Sequence, residues 1–266
     1  MQSEMIQPRY KTLAEHREYL HEITKLMLFY LHLYLDTHPE ENFRTVMRER
    51  IDIYRKTDAN PGPKNPSELY FDEPPWKTME DKAYELYLKY RTDRAAFERE
   101  AFEVFRASLD ARCERDYADR STLGFYQCGS LRHERAVQKN GTMFFHIANA
   151  VEPRSIFDDP EYLRGCFNDL MTISEKIYGA TRIASHTWLN SLPKWLSYFP
   201  QEWKDNLEPP ATDVHWSYDF WGQFISARGT FNWKYGEILR STGQFPFLPR
   251  TGSCSIESMR RFLNPA

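Results

Sequence analysis

Apolar residues recur at helical spacing through the first part of the chain. Between Lys11 and Asp36, residues Leu13, Leu20, Ile23, Met27, Leu31 and Leu35 fall on one face, which predicts an amphipathic helix. The segment ENFRTVMRERIDIYRK continues the pattern through Phe43, Val46, Met47, Ile51 and Tyr54. DANPGPKNPSELYFDEPPW then interrupts it with five prolines and one glycine in 19 residues, the composition of an irregular connection. Helical spacing resumes in KTMEDKAYELYLKY and RAAFEREAFEVFRASLDARCERD, both charged on one side with Phe, Tyr and Leu on the other.

After Arg120 the period shortens to two. GFYQCGSLRHERAV and GTMFFHIANA read as strands joined by a QKNG turn, where Asn140-Gly141 favours positive φ. A punctuated helix follows: Asp159 caps it, Pro160 and Glu161 suit its first turn, and Gly179 closes it. Leu163, Cys166, Phe167, Leu170, Ile173 and Ile177 form its apolar stripe. TRIASHTWLN then predicts a strand, SLPKWLSYFP a short helix, VHWSYDFWGQFIS a strand and KYGEILRSTG a helix ending at Gly243. The tail SIESMRRFL predicts a last helix with Ser255 as its cap. Helices first and strands afterwards define an α+β protein: a helical domain over 1–120 and a mixed β-sheet domain with flanking helices over 121–266.

Composition narrows the partners. The 266 residues carry a formal net charge of -3 with 27% charged residues, so nothing pulls the whole molecule toward nucleic acid or anionic membrane. Single-strand binding wants a basic stripe interleaved with aromatics, and here the aromatics come with mixed charge. The longest apolar stretch, Leu26 to Leu35, includes His32 and is far short of the roughly 20 residues a bilayer span needs. MQSEMIQPRY has no apolar signal segment. Cys113, Cys128, Cys166 and Cys254 form no CxxC pair and read as scattered reduced thiols. The expectation is a soluble cytoplasmic protein with a small-molecule partner.

Candidate chemistry concentrates in the second half. His146, His186 and His215 all fall in predicted strands: FFHIAN, SHTWLN and VHWSYD. Converging, they suit a zinc or iron site with an open position, with Asp219 as the carboxylate of a facial triad. Taken singly, each is a half-buried histidine satisfied by neighbouring backbone. Six of the seven tryptophans lie between Trp188 and Trp233, either as core or as the lining of a cleft by Trp188, Trp195, Trp216 and Trp221. Strand alternation through SHTWLNS puts His186, Trp188 and Asn190 on one face, an awkward set for a dry core and a good ligand floor. GxSxG, HExxH and Gly-rich phosphate loops are absent. Cys254 precedes a helix whose dipole would activate a thiol, although a capped turn explains Ser253-Cys254-Ser255 as well.

Three stretches together carry a resemblance. Gly129-Ser130-Leu131-Arg132-His133-Glu134 has the form Gly-x-Leu-x-x-Glu, and His146-Ile147 follows on the next strand. Ser185-His186-Thr187-Trp188-Leu189, after an intervening helix, is similar to a His-Ser-Trp-Leu strand, and Pro193 to Leu196 then reads Pro-x-Trp-Leu. In order and spacing, residues 120 to 210 resemble bacterial predicted acyltransferases that pair a helical N-terminal domain with a GNAT-like C-terminal domain. The resemblance implies transfer of an acyl group from a thioester donor, acyl-CoA, to an amine or similar small acceptor. Such chemistry needs a base for the amine proton and a donor for the oxyanion. His186 or Glu134 is then the base, His146 orients or polarises, and Asn149 or Asn190 serves the oxyanion. Trp188, Asn190, Asn149, His215 and Trp216 are the expected substrate-binding residues. A metal-dependent enzyme built on His146, His186 and His215 and a non-catalytic ligand-binding module are the alternatives.

Overall fold

The computed structural model describes residues 11–61, 69–118, 127–218 and 220–264. Residues 1–10, the middle of the proline-rich connection, the boundary at Arg120, the start of the first expected strand and Asp219 lie outside the described residues.

Helix α1 (Leu13–Thr37) opens on a capping box, in which Thr12 Oγ1 accepts from the Glu15 amide at 3.2 Å and the Glu15 carboxylate accepts from the Thr12 amide at 2.7 Å. Its expected stripe is buried from Leu20 to Leu35. It packs on α4 (Arg94–Ala118), which in turn meets α3 (Pro74–Lys89). Short α2 (Phe43–Glu49) ends before the expected pattern does. The chain passes irregularly through buried Ile51, Asp52 and Ile53 into one 3-10 turn at Tyr54–Lys56. Trp76, Phe97 and Phe105 fill this first core.

The second core lies under a four-stranded mixed sheet of order β1-β2-β3-β4. Strands β1 (Leu131–Val137) and β2 (Thr142–Ile147) form the expected antiparallel hairpin, with Gly141 at φ 78° in its turn. Helix α5 (Pro160–Lys176) crosses to β3 (Arg182–Thr187), which runs parallel to β2. The expected cap is present: Asp159 Oδ1 accepts from the amides of Glu161 and Tyr162, both at 3.1 Å. Gly129 approaches α5 so closely that a Cβ there would sit 2.5 Å from Cys166 Sγ. Trp195 of α6 (Pro193–Leu196), Trp203 of α7 (Gln201–Asp205) and Phe199 between them complete the core, with the Phe199 and Trp203 rings stacked at 4.0 Å.

Two elements differ from the sequence reading. VHWSYDFWGQFIS is not a strand but a pair of 3-10 turns, Trp216–Tyr218 and Phe220–Phe224. Its aromatics dock on the helices: the Trp216 indole donates to the Arg48 carbonyl at 2.7 Å and Trp221 to the Arg50 carbonyl at 2.9 Å. Arg50 returns the contact through Asp213, and Val214, Phe220, Trp221, Phe224 and Leu239 of α8 (Trp233–Thr242) join the first core. The chain after residue 120 thus contributes to both cores. The fourth strand, β4 (Arg250–Ser255), is one the sequence did not announce, because RTGSCS lacks apolar alternation. It pairs antiparallel with β3, and Ser255 then caps α9 (Ile256–Leu263) as expected, accepting from the Ser258 amide at 3.2 Å. All four cysteines are buried free thiols. Burial pushes Cys254 up to about 12, so the thiol beside the α9 N-terminus is not activated. No helix among the described residues is long and apolar enough to cross a membrane.

Replacing Asp159 with Ala orphans two α5 amides and is expected to lower stability by about 1 kcal/mol. A denaturant midpoint unchanged from wild type would show that the cap contributes nothing.

Candidate functional site

The strand registers bring four polar side chains into one transverse row. Arg132 of β1 lies opposite His146 of β2, and His186 of β3 lies opposite Thr251 of β4. The parallel register pairs Phe144 with Ala184, which places His146 level with His186. Alternation sends this row to the face away from Met143, Phe145, Ile183 and Cys254, which point into the second core. His186 Nδ1 shares a hydrogen bond with Thr251 Oγ1 at 3.0 Å, and His146 Nε2 lies 3.4 Å from Glu134 Oε1.

At the carboxyl ends of parallel β2 and β3 the row opens into a cleft of about 630 Å3, a size suited to a small organic ligand. Arg132, His146, His186 and Thr187 form its sheet side. Trp188, Ile156, Phe157, Trp216, Trp221 and Ile225 give it an apolar lining. Tyr19, Asp52, Arg55 and Lys56 reach in from the helical half. Beside the cleft, and sharing Arg132 and His146 with it, a smaller depression of about 250 Å3 holds Glu134, His133 and Arg135.

Burial lowers the His186 pKa, and the Glu208 carboxylate only partly opposes this, so the environment favours the neutral ring. Asp52 is the reverse case. Burial pushes its carboxyl up, but Lys56 and a two-pronged contact from Arg55 (2.7 and 2.8 Å) outweigh burial and hold it below its ordinary value. Arg55 also stacks over Trp216, with the guanidinium 4.1 Å from the ring centre. Glu152, further along the cleft, is raised by burial against the pull of Lys11. Both of these groups crowd Gly229 (φ 73°), where a Cβ would sit 3.1 Å from the Lys11 ammonium and from each Glu152 oxygen.

The expected site residues separate into groups. His146, His186, Trp188, Trp216 and Asn149 line the cleft, while Glu134 stands in the adjoining depression against His146. The Asn149 amide is held by backbone of two loops: Nδ2 donates to the carbonyls of Arg154 (2.8 Å) and Ala227 (2.9 Å), and Oδ1 accepts from the Val151 amide (3.1 Å). It shapes the cleft rim and is not poised for an oxyanion. Asn190 is not on the cleft face. Strand β3 ends at Thr187, and a 3-10 turn over Trp188–Ser191 breaks the alternation and drives Asn190 into the core, where it is 0% exposed. There Nδ2 donates to the carbonyls of Ser185 (3.0 Å) and Arg250 (2.8 Å), and Oδ1 accepts from the indoles of Trp195 (3.1 Å) and Trp203 (3.3 Å). Trp195 is likewise core and not cleft. His215 lies outside the cleft, 3.3 Å from Asp213 and 3.9 Å from Glu49, so the three histidines do not converge. Among the described residues no group of three His, Cys, Asp or Glu is placed to hold a metal ion. The sequence reading missed Tyr19, Asp52, Lys56, Arg132 and Thr251; only DIYRK, an acid followed by two bases at helical spacing, offered a local signal. Comparison with protein-family models, curated proteins and solved structures finds no match for the chain.

Two outcomes follow from this geometry. Asn190→Ala leaves two indole donors and two carbonyls without their buried partner, and a loss of about 3 kcal/mol or more is expected in denaturant unfolding. A loss below about 1 kcal/mol would show that the neighbours find other partners. For His186, a folded pKa below the unfolded value means that its contribution to stability is present above about pH 6.5 and is lost as pH falls. An NMR titration of the ring is expected to give a midpoint below 6.5, and a midpoint above it would contradict the burial argument.

Proposed function

We propose that the cleft is the active site of a transferase that moves an acyl group from a thioester donor, acyl-CoA, to a small amine, with His186 as the base. The observation that carries this reading is the row itself: a neutral, hydroxyl-anchored His186 beside His146 and Arg132, facing a cleft of ligand size. The resemblance adds support. The stretches Gly129–Glu134, His146-Ile147 and Ser185–Leu189 contribute to one cleft and its adjoining depression, and we read the mixed sheet as GNAT-like on that ground.

In the proposed reaction the amine nitrogen attacks the thioester carbonyl carbon, forming the C–N bond while His186 takes the amine proton. The negative charge gathered on the carbonyl oxygen faces His146 and Arg132, which replace the asparagines as its electrostatic partners. Collapse of the adduct breaks the C–S bond, and the departing thiolate takes the proton back from His186. Glu134, paired with His146, holds that ring and is not the base.

A non-catalytic ligand-binding module is the second reading. It is favoured by the commitment of both the Asn149 and Asn190 amides to backbone and indole partners, since neither side chain can serve an oxyanion.

Release of free thiol from a panel of acyl-CoAs, with and without small primary amines, tests the proposal. Amine-dependent release that falls about 100-fold or more in His186→Gln is the expected result. Neither thiol release nor a thermal shift with any acyl-CoA would favour the binding module.

A further inference from the structure

We infer that the ligand of this cleft is an apolar small molecule bearing a carboxylate, which Lys56 and Tyr19 receive on the helical wall. The inference rests on the reading of the cleft as a small-molecule site and does not depend on acyl transfer.

Lys56 carries the argument. Its side chain is only 15% exposed, yet it lines the cleft. The ammonium has three N–H donors, and among the described residues its hydrogen-bond acceptor is Asp52 Oδ2, at 3.0 Å. That oxygen also accepts from Arg55 at 2.8 Å, while Asp52 Oδ1 accepts from Arg55 at 2.7 Å. Asp52 is therefore well occupied, and a largely buried ammonium retains donor capacity toward the cleft. A charge held from water in this way gains most from an anionic oxygen that takes up those donors.

The other charged groups argue against a cationic ligand. Asp52 is engaged by its own two cations, and Lys11 acts on Glu152, so both acids of the cleft already have cationic neighbours. A cation entering the cleft meets Lys56 instead. Tyr19 stands within electrostatic reach of Lys56, and burial holds its phenol in the protonated, donating form. One ammonium and one phenol match a single carboxylate better than a dianion, which calls for several converging donors. Trp188, Trp221 and Ile156 supply the apolar contact for the rest of the molecule, and His186 meets its other end.

Three probes of one shape decide the matter: 3-phenylpropionate, its neutral amide 3-phenylpropionamide, and 2-phenylethylamine, each titrated against the whole protein by saturation-transfer NMR. The carboxylate is expected to bind about ten-fold or more tighter than the amide, the amine weakest. Lys56→Met is expected to erase the preference for the carboxylate, and Lys56→Arg to keep it. Equal affinity for carboxylate and amide, tighter binding of the amine, no binding of any probe, or a preference that survives Lys56→Met would each overturn the inference. The wild-type ranking decides even where Lys56→Met fails to fold. Carboxylate preference in a protein that turns over no acyl-CoA sinks the transferase reading alone, whereas turnover with indifferent probe binding sinks this one.

Discussion

The side-chain amide of Asn190 fixes the end of the sheet from which the cleft is built. It joins β3 to β4 through the carbonyls of Ser185 and Arg250, and holds the indoles of Trp195 and Trp203 beneath them. A buried primary amide has two donor hydrogens and an acceptor oxygen, and here all of that capacity is engaged. Because the amide needs the Ser185 carbonyl five positions back, the chain has to turn at Thr187. Thr187 Oγ1 caps that turn by accepting from the Leu189 amide at 3.2 Å. The turn leaves Trp188 beside the cleft and sends Leu189 mostly into the core, at 6% exposure. The same polar residue that closes the second core therefore sets where the cleft begins.

Local chemistry made some elements legible in the sequence and tertiary context hid others. The β1–β2 turn needs positive φ at Gly141, and α5 needs a cap at Asp159; both demands are met by the residue itself and can be read without knowing the fold. Strand β4 carries Gly252 where a Cβ would collide with the Trp203 ring, and its pairing with β3 is what makes it a strand. No propensity of Thr, Gly and Ser announces that. The aromatics from Trp216 to Phe224 mimic strand alternation, but their destination is the carbonyls of Arg48 and Arg50, about 170 positions earlier in the chain. Period is evidence of a face only where the partner surface is a sheet or a helix. Here the partner is the carbonyl end of α2.

The site shows the same division. His146 and His186 were found because each sits on a recognisable strand, and parallel pairing of those strands set them level. Asn190 was misplaced because alternation was carried three residues past the true strand end, from Thr187 to Asn190. Asp52 and Lys56 left only a faint trace. Helical spacing would put an acid between two isoleucines on a solvated face, whereas Asp52 is buried, and its ion pairs with Arg55 and Lys56 offset that burial. Arg132 and Thr251 acquire meaning only from the registers across the sheet.

The cleft is a joint product of the two cores, and its chemistry depends on that division. The sheet supplies imidazoles, one of which burial keeps neutral and a threonine hydroxyl keeps oriented. Arg132 adds one permanent charge on the sheet, and the helical half supplies more, concentrated where Lys56 and Arg55 share one carboxylate. The aromatic segment, anchored to the end of α2 by its indole hydrogen bonds, also lines the cleft. A carboxylate set directly against His186 would raise its pKa and favour the protonated ring. In the reading proposed above, holding a ligand's carboxylate at Lys56, on the helical side, leaves His186 to meet the other end as an uncharged nitrogen. On the proposed reading, a single cleft thereby takes an anionic group at one end and keeps a proton acceptor at the other.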